Sequence, residues 1–259
     1  MNKKIEIHPT AIVSEKAKIA DGVTIGAFTI IEDDVEIGAN CEIRSGVVLA
    51  NGTRLGEGCR IHASAVIGTE PQDLKYDGEM TYAIIGDRTV VREFATINRA
   101  TASTGKTVVG SDCLIMSYSH VAHDCRLGNN VIMSNATQLA GHVTIGEYVI
   151  FGGVAKVHQF CKVGHHVMVA ADAMVTKDVA PYVLLGRKPQ VEGVNKIGLR
   201  RRGFSNQLIG EIENFYDTVI FSGLNTRDGI EKYKQRKDLL PEIEGCIEFI
   251  ENSTRGIYR

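Results

Sequence analysis

The sequence predicts a mainly β fold: one parallel β-helix over residues 1–180, then a linker and a small α-helical domain over 181–259. Three observations carry this expectation. A six-residue apolar period runs through most of the chain, glycine recurs in step with it, and the patterning turns helical after Val179. At 259 residues there is ample chain for a core, and a net charge of −2 with 44% hydrophobic residues suggests no nucleic-acid partner. No apolar run reaches the length of a membrane span, and the opening MNKKIEIHPT lacks the apolar stretch of a signal peptide. No transmembrane segment and a cytoplasmic location are therefore expected.

The period is explicit in the numbering. Positions that leave a remainder of one on division by six are large and apolar from Ile7 through Ile67, again at Ile85, Val91 and Ile97, and again from Val109 through Val175. Helices and two-faced strands repeat every 3.6 and 2 residues, so neither produces this pattern. Four residues after each large position comes a small or β-branched one, such as Ala17, Val23, Thr29, Cys41 and Cys59. The pattern reads as a short strand, a turn and a short strand, with both slots facing inward. Three hexads make one coil, so residues eighteen apart should stack about 4.8 Å apart along the axis. Glycine follows the large residue at Gly26, Gly38, Gly56 and elsewhere, and is expected to take a left-handed corner there. Cys41, Cys59, Cys113, Cys125 and Cys161 fall in the small slot and Cys246 in a helical stripe, so the cysteines read as small hydrophobes rather than as metal ligands or redox groups.

The period breaks twice, at 69–83 (TEPQDLKYDGEMTYA) and 99–107 (RATASTGKT), and re-enters cleanly after each. Both read as external loops, which in a solenoid collect on one face and often bind ligand. After a Pro/Gly/basic linker, Ser205 reads as an N-cap for a helix with Leu208, Ile212, Phe215 and Val219 on one face and Gly223 at its end. Pro241 opens another helix, with Ile243, Cys246, Ile247 and Ile250 as its stripe. Six basic residues and one acid lie between Arg187 and Arg202, a composition suited to phosphate.

His120, His123, His142 and His158 fall in neither inward slot and so should face outward. From Leu127 to Ala155 the only charged side chain is Glu147, where a solvated coil would carry Lys and Glu, so this surface is expected to pack on another copy of the chain. Eighteen residues past His123 is Gly141, which places His142 over Asp124. A histidine beside a carboxylate and a glycine amide has the parts for base catalysis at an acyl centre, with the amide donating to the oxyanion. No serine or cysteine is placed for a covalent intermediate, which favours direct transfer. Two other readings stay open: a zinc lyase of the carbonic-anhydrase type, for which His120 and His123 offer an HxxH spacing, and a purely structural solenoid.

The strings HPTAIV, IGTEPQDLKY, REFATINR, SHVAHDC, LAGHVTIG, VHQFC and GLRRRGFS together resemble the UDP-N-acetylglucosamine O-acyltransferases of lipid A biosynthesis, and the resemblance covers essentially the whole chain. That family consists of hexapeptide-repeat proteins with a left-handed coil of triangular section. The resemblance implies transfer of an (R)-3-hydroxyacyl chain from acyl carrier protein to the 3-hydroxyl of UDP-N-acetylglucosamine. It implies a homotrimer with sites between subunits and no cofactor or metal, the phosphopantetheine arriving on the carrier. A 3-amino sugar nucleotide is the alternative acceptor. By motif, His123 corresponds to the general base, Asp124 to its supporting acid and the Gly141 amide to the oxyanion donor. Gln72, Asp73 and Lys75 correspond to contacts with the sugar and acyl group. His120, His142, His158 and Gln159 line the site, and Asn195, Arg201 and Arg202 contact the nucleotide. Ala170 and Ala171 stand where some relatives have glycines near the tip of the acyl groove, which makes them the candidate determinants of acyl length, since a methyl there can shorten the accepted chain. Ile197 stands where some relatives have an acid.

Overall fold

The computed structural model describes residues 4–236 and 238–259. The six-residue period becomes two-residue strands, such as Thr24–Ile25, Ile30–Ile31 and Glu36–Ile37, joined by short turns. They assemble into three long sheets of 11, 9 and 8 strands, here called A, B and C. Within the coil, successive strands of a sheet pair in parallel one coil apart: Glu6 with Thr24, Ile12 with Ile30, Lys18 with Glu36. The second residue of each strand points inward, and Ile25, Ile31, Ile37, Ile43, Leu49, Ile61, Met133 and Phe151 form one continuous buried column. Each such side chain contributes about 1.5–3 kcal/mol of transfer free energy. The small slot is filled as expected. Cys41 and Cys125 are buried thiols that donate to the carbonyls of Gly56 and Ala140, both at 3.1 Å. Burial pushes the Cys125 thiol up to about 12, so it stays protonated.

The glycines serve a different purpose from the one read in the sequence. Gly26 and Gly38 are not left-handed; the left-handed residues lie two positions later, among them Phe28, Asn40, Asp124, His142 and Phe160. A methyl group on Gly38 would come within 2.6 Å of the Gly56 carbonyl carbon in the next coil. These glycines let successive coils approach each other, and the tight corner itself falls on whatever residue comes next but one.

Arg60 pairs with Val90 and Thr96 with His120, offsets of 30 and 24 residues in place of 18. The extra chain leaves the prism as excursions at 70–81 and 99–105. Both start from sheet B, after the strands Val66–Thr69 and Thr96–Asn98, and both return to sheet C, at Tyr82–Ile85 and Lys106–Val109. They therefore emerge from one edge of the prism, the B–C corner. The same corner carries the turns 122–125, 140–143 and 158–161 in the next three coils.

The last parallel strand of sheet A, Val183–Leu185, pairs antiparallel with the sheet's final strand, Val191–Val194. Four helices follow: α1 (Lys196–Arg201), α2 (Asn206–Tyr216), α3 (Thr226–Lys234) and α4 (Pro241–Glu251). Ser205 caps α2 by accepting from the Leu208 N–H, and Pro241 opens α4, whose buried residues are Ile243, Cys246, Ile247 and Ile250. A π-helical stretch, Asp217–Phe221, continues α2 and keeps Val219 buried. The sequence pattern does not reveal α1 or α3. The first is a short segment organised by its Asn195 cap, and the second is polar, with Ile230 and Tyr233 as its buried large side chains. The chain end returns to the β-helix: the Tyr258 hydroxyl accepts from the Thr176 N–H at 2.7 Å, and Ser253 donates to buried Asp178 at 2.7 Å. Among the described residues no helix is long and apolar enough to cross a membrane.

Candidate active site

Five consecutive coils present their B–C corners in a row, and stacking by eighteen brings distant residues together there. His123 lies in the turn after the strand His120–Val121. Its Nδ1 is 2.8 Å from the Asp124 carboxylate, and its Nε2 is 3.9 Å from that of Asp73 on the first excursion. The ring points away from the prism, as the register requires, yet is only 6% exposed because the excursions roof it. One coil on, Gly141 packs flat against it. A methyl at Gly141 would lie 2.5 Å from His123 Cε1. Among the described residues the Gly141 N–H has no hydrogen-bond acceptor. His142, directly over Asp124, meets His123 edge to face at 5.2 Å and approaches the Asp124 carboxylate to 3.6 Å. Another coil on, Phe160 stacks on His142 at 4.7 Å.

Asp124 is fully enclosed. It accepts from the Thr101 hydroxyl at 2.8 Å, from the Thr101 N–H at 3.2 Å and from the Thr104 hydroxyl, while its own N–H donates to Thr107 at 2.8 Å. Burial opposes its charge, but the donations from Thr104, His123 and Thr101 outweigh that and hold the carboxyl below the usual range. Burial, then the neighbouring His123, pushes His120 down, and its Nδ1 is 2.7 Å from the Thr96 hydroxyl.

The first excursion is tied to the second. Arg99 donates to the Tyr76 hydroxyl at 2.6 Å and to the Gly68 carbonyl at 2.9 Å, and the Glu79 carboxylate accepts from the Ala102 N–H at 2.9 Å. Asp73 closes an Asx turn by accepting from the Lys75 N–H at 2.9 Å, and Gln72 is exposed. Asp73, Lys75, Glu79, Ser103, His142 and Gln159 line a cleft of about 350 Å³ beside His123. His158 lies at the outer end of this row, exposed, with its Nδ1 3.3 Å from Arg255 in the C-terminal tail.

The remaining sequence-derived candidates lie on the other two corners. Ala170 and Ala171 turn the A–B corner between Met168–Val169 and Met174–Val175. Asn195 and Arg202 sit on the C–A corner. Asn195 donates to the His166 carbonyl at 2.9 Å, and Arg202 lies over the Tyr148 ring and donates to the Tyr148 carbonyl at 2.9 Å. Of the basic run, Arg187 pairs with Asp172 and Lys196 with Glu213, while Arg201 is exposed, and so is Ile197. One chain thus brings His123, Asp124, Gly141, His142, Asp73, Lys75 and Gln159 together. It does not bring Asn195, Arg201, Arg202, Ala170 or Ala171 to them.

The sequence reading missed Thr101, Thr104, Arg99, Phe160 and Arg255. The stacking rule finds Phe160, eighteen residues past His142; the excursions have no register, so nothing in the sequence marks the two threonines.

His123, Asp124 and His142 offer metal-ligating atoms within 4.8 Å of one another. A zinc site would need the Asp124 oxygens free, and they already accept from Thr101, Thr104 and His123. These residues fit a hydrogen-bonded dyad better than a metal centre. Metal analysis of the purified protein is expected to find well under one zinc per chain. Stoichiometric zinc whose removal abolishes activity would revive the lyase reading.

Comparison with known proteins agrees with this fold. Residues 178–258 match the model for UDP N-acetylglucosamine O-acyltransferase, domain 2, and 16–51, 34–69 and 106–141 match the bacterial transferase hexapeptide repeat. The acyl-[acyl-carrier-protein]–UDP-N-acetylglucosamine O-acyltransferase of Stenotrophomonas maltophilia R551-3 is 41% identical over 98% of this chain and 97% of its own. Solved UDP-N-acetylglucosamine acyltransferases from Bacteroides fragilis and Francisella novicida superpose with a TM-score of 0.95, at 44% and 38% identity. They cover 97% and 98% of this chain, and 99% and 94% of their own. The coil shares their left-handed wind.

Proposed function

The chain belongs to the UDP-N-acetylglucosamine O-acyltransferase family, and from that premise we propose that it transfers an (R)-3-hydroxyacyl group from acyl carrier protein to the 3-hydroxyl of UDP-N-acetylglucosamine, the first step of lipid A biosynthesis. The observation that carries the mechanism is the His123–Asp124 dyad with Gly141 packed on the imidazole. Nδ1–H donates to Asp124, which leaves Nε2 as the base. It takes the proton of the sugar hydroxyl as that oxygen attacks the thioester carbonyl. The tetrahedral oxyanion accepts from the Gly141 N–H. The C–S bond then breaks and the imidazolium returns its proton to the leaving thiolate. No side-chain hydroxyl or thiol bonds to His123 Nε2 among the described residues, which supports direct transfer without an acyl-enzyme. The carrier brings its own pantetheine thioester, so no further cofactor enters.

Asp73 and Lys75, with Gln72 beside them, would hold the sugar and the acyl 3-hydroxyl in the cleft, with His120, His142, His158 and Gln159 along its wall. The separation of the three corners supports a homotrimer: the A–B and C–A corners reach a B–C corner only in another copy. Ala170, Ala171, Asn195, Arg201 and Arg202 would serve a neighbour's site in this arrangement. The outward residues Leu114, Ile132, Ile150 and Met168 of sheet A form an uncharged, half-exposed stripe suited to such packing, whereas sheet C carries Arg126 and Lys162.

The test is acyl transfer from a ladder of 3-hydroxyacyl carrier proteins to UDP-N-acetylglucosamine and, side by side, to its 3-amino analogue. Transfer to the hydroxyl acceptor is expected, with Ala171→Gly moving the optimum to a longer chain. Preference for the amino acceptor would replace the ester by an amide, and transfer to neither would end the proposal.

A further inference from the structure

We propose that the second excursion, 99–105, is a clamp on Asp124, in which Thr101 and Thr104 act as positioning residues that fix the carboxylate toward His123. The inference deepens the acyl-transfer reading and rests on it for its kinetic arm. A tolerated surface insertion would send its side chains into solvent. Here the extra hexad turns them inward: Thr101 is 8% exposed, its hydroxyl and its N–H both reach Asp124 Oδ2, and Thr104 takes Oδ1. With His123 on Oδ2 as well, the carboxylate has donors on both oxygens and no freedom to rotate.

Backbone geometry adds to this. Asp124 occupies a left-handed corner at φ 62°, and its N–H is held by Thr107 at the excursion's return. The excursion is itself braced: Ser103 N–H donates to Thr101 Oγ1 at 3.2 Å, and the Ala102 N–H donates to Glu79.

The chemical need is specific. A buried carboxylate without donors becomes more basic and pulls harder on Nδ1–H, which raises the proton affinity of Nε2 and slows return of its proton to the leaving thiolate. Hydroxyl donors to Asp124 moderate that pull, so the imidazolium can give the Nε2 proton up to the leaving group. The charged and titratable groups facing the pair are His120, His142, Asp73 and Glu79, with Lys75 in the same cleft. None of them donates to Asp124 at hydrogen-bonding distance in place of the threonines.

The test uses Thr101→Val and Thr104→Val, singly and together, with Thr101→Ser as the conservative control. For the double variant kcat is expected to fall roughly tenfold to a hundredfold, with KM for the sugar nucleotide within about threefold of wild type. The acid limb of kcat/KM is expected to move to higher pH, because a more basic Asp124 strengthens the hold on the His123 proton. Thr101→Ser should restore both. A double variant that matches wild type overturns the clamp, as does a loss of kcat with the limb unmoved or moved to lower pH. Ring-15N NMR titration of His123 needs no substrate and is expected to show the same upward displacement in the single variants, even if the double variant folds poorly. Absence of transfer by the wild type would defeat the functional reading alone, and the titration would still decide the clamp.

Discussion

His123→Ala is expected to lower kcat for acyl transfer by about a thousandfold, within the range that removal of a positioned general base produces. The fold should tolerate the change. Asp124 keeps its donors from Thr101 and Thr104, and the imidazole lies outside the prism core, so the inward column from Ile25 to Val175 is untouched. Binding should also survive, because the cleft-lining Asp73, Lys75 and Gln159 are supported by the excursions and the coil rather than by His123. KM is therefore expected to stay within a few-fold while kcat collapses, the signature of a group that acts mainly in the transition state. Steady-state kinetics with thermal melting of both proteins checks it. Activity within tenfold of wild type would remove His123 from the mechanism and shift attention to His142, the imidazole that meets it edge to face.

The coil was legible in the sequence because a six-residue period has no competing explanation and because stacking by eighteen converts numbering into proximity. That arithmetic placed Gly141 on His123 and His142 on Asp124 without coordinates. It failed wherever the chain leaves the register. Inside the excursions there is no period to count, so the threonines around Asp124 and the Arg99–Tyr76 link could not be read. The glycine rule failed for another reason. Local conformational preference suggested left-handed corners at Gly26 and Gly38, but the constraint there is the approach of the next coil, a contact that single-residue propensity does not contain. The left-handed positions went to Asp124 and His142 instead, so two of the polar site residues occupy the tightest points of the turn. Asn195, Arg202 and Ala171 show the limit of stacking in another direction: it finds neighbours along one corner and does not connect residues on the other two corners to the cleft.

Gly141→Ala is the sharpest test of the site, because it adds one methyl and should cost about a hundredfold or more in kcat. The methyl would sit 2.5 Å from Cε1 and 2.7 Å from Nε2 of His123, closer than carbon and nitrogen can approach, so the ring must move. It has few places to go. Nδ1 is anchored to Asp124, the edge of His142 meets it at 5.2 Å, and Asp73 stands 3.9 Å from Nε2. Displacement therefore either breaks the dyad or swings Nε2 away from the acceptor hydroxyl, and a shift of about 1 Å at a proton-transferring atom is enough to cost two orders of magnitude. Gly141 is not left-handed, so alanine brings no backbone strain of its own, and Tm should fall only modestly. Gly210→Ala, in α2 with nothing within 4 Å of the added methyl, is the matched control and should leave kcat and KM unchanged. The contrast isolates packing on the imidazole as the cause. A folded Gly141→Ala protein with kcat within threefold of wild type would mean that the His123 ring is not confined as its neighbours imply, and that its orientation in the dyad is not what sets the rate.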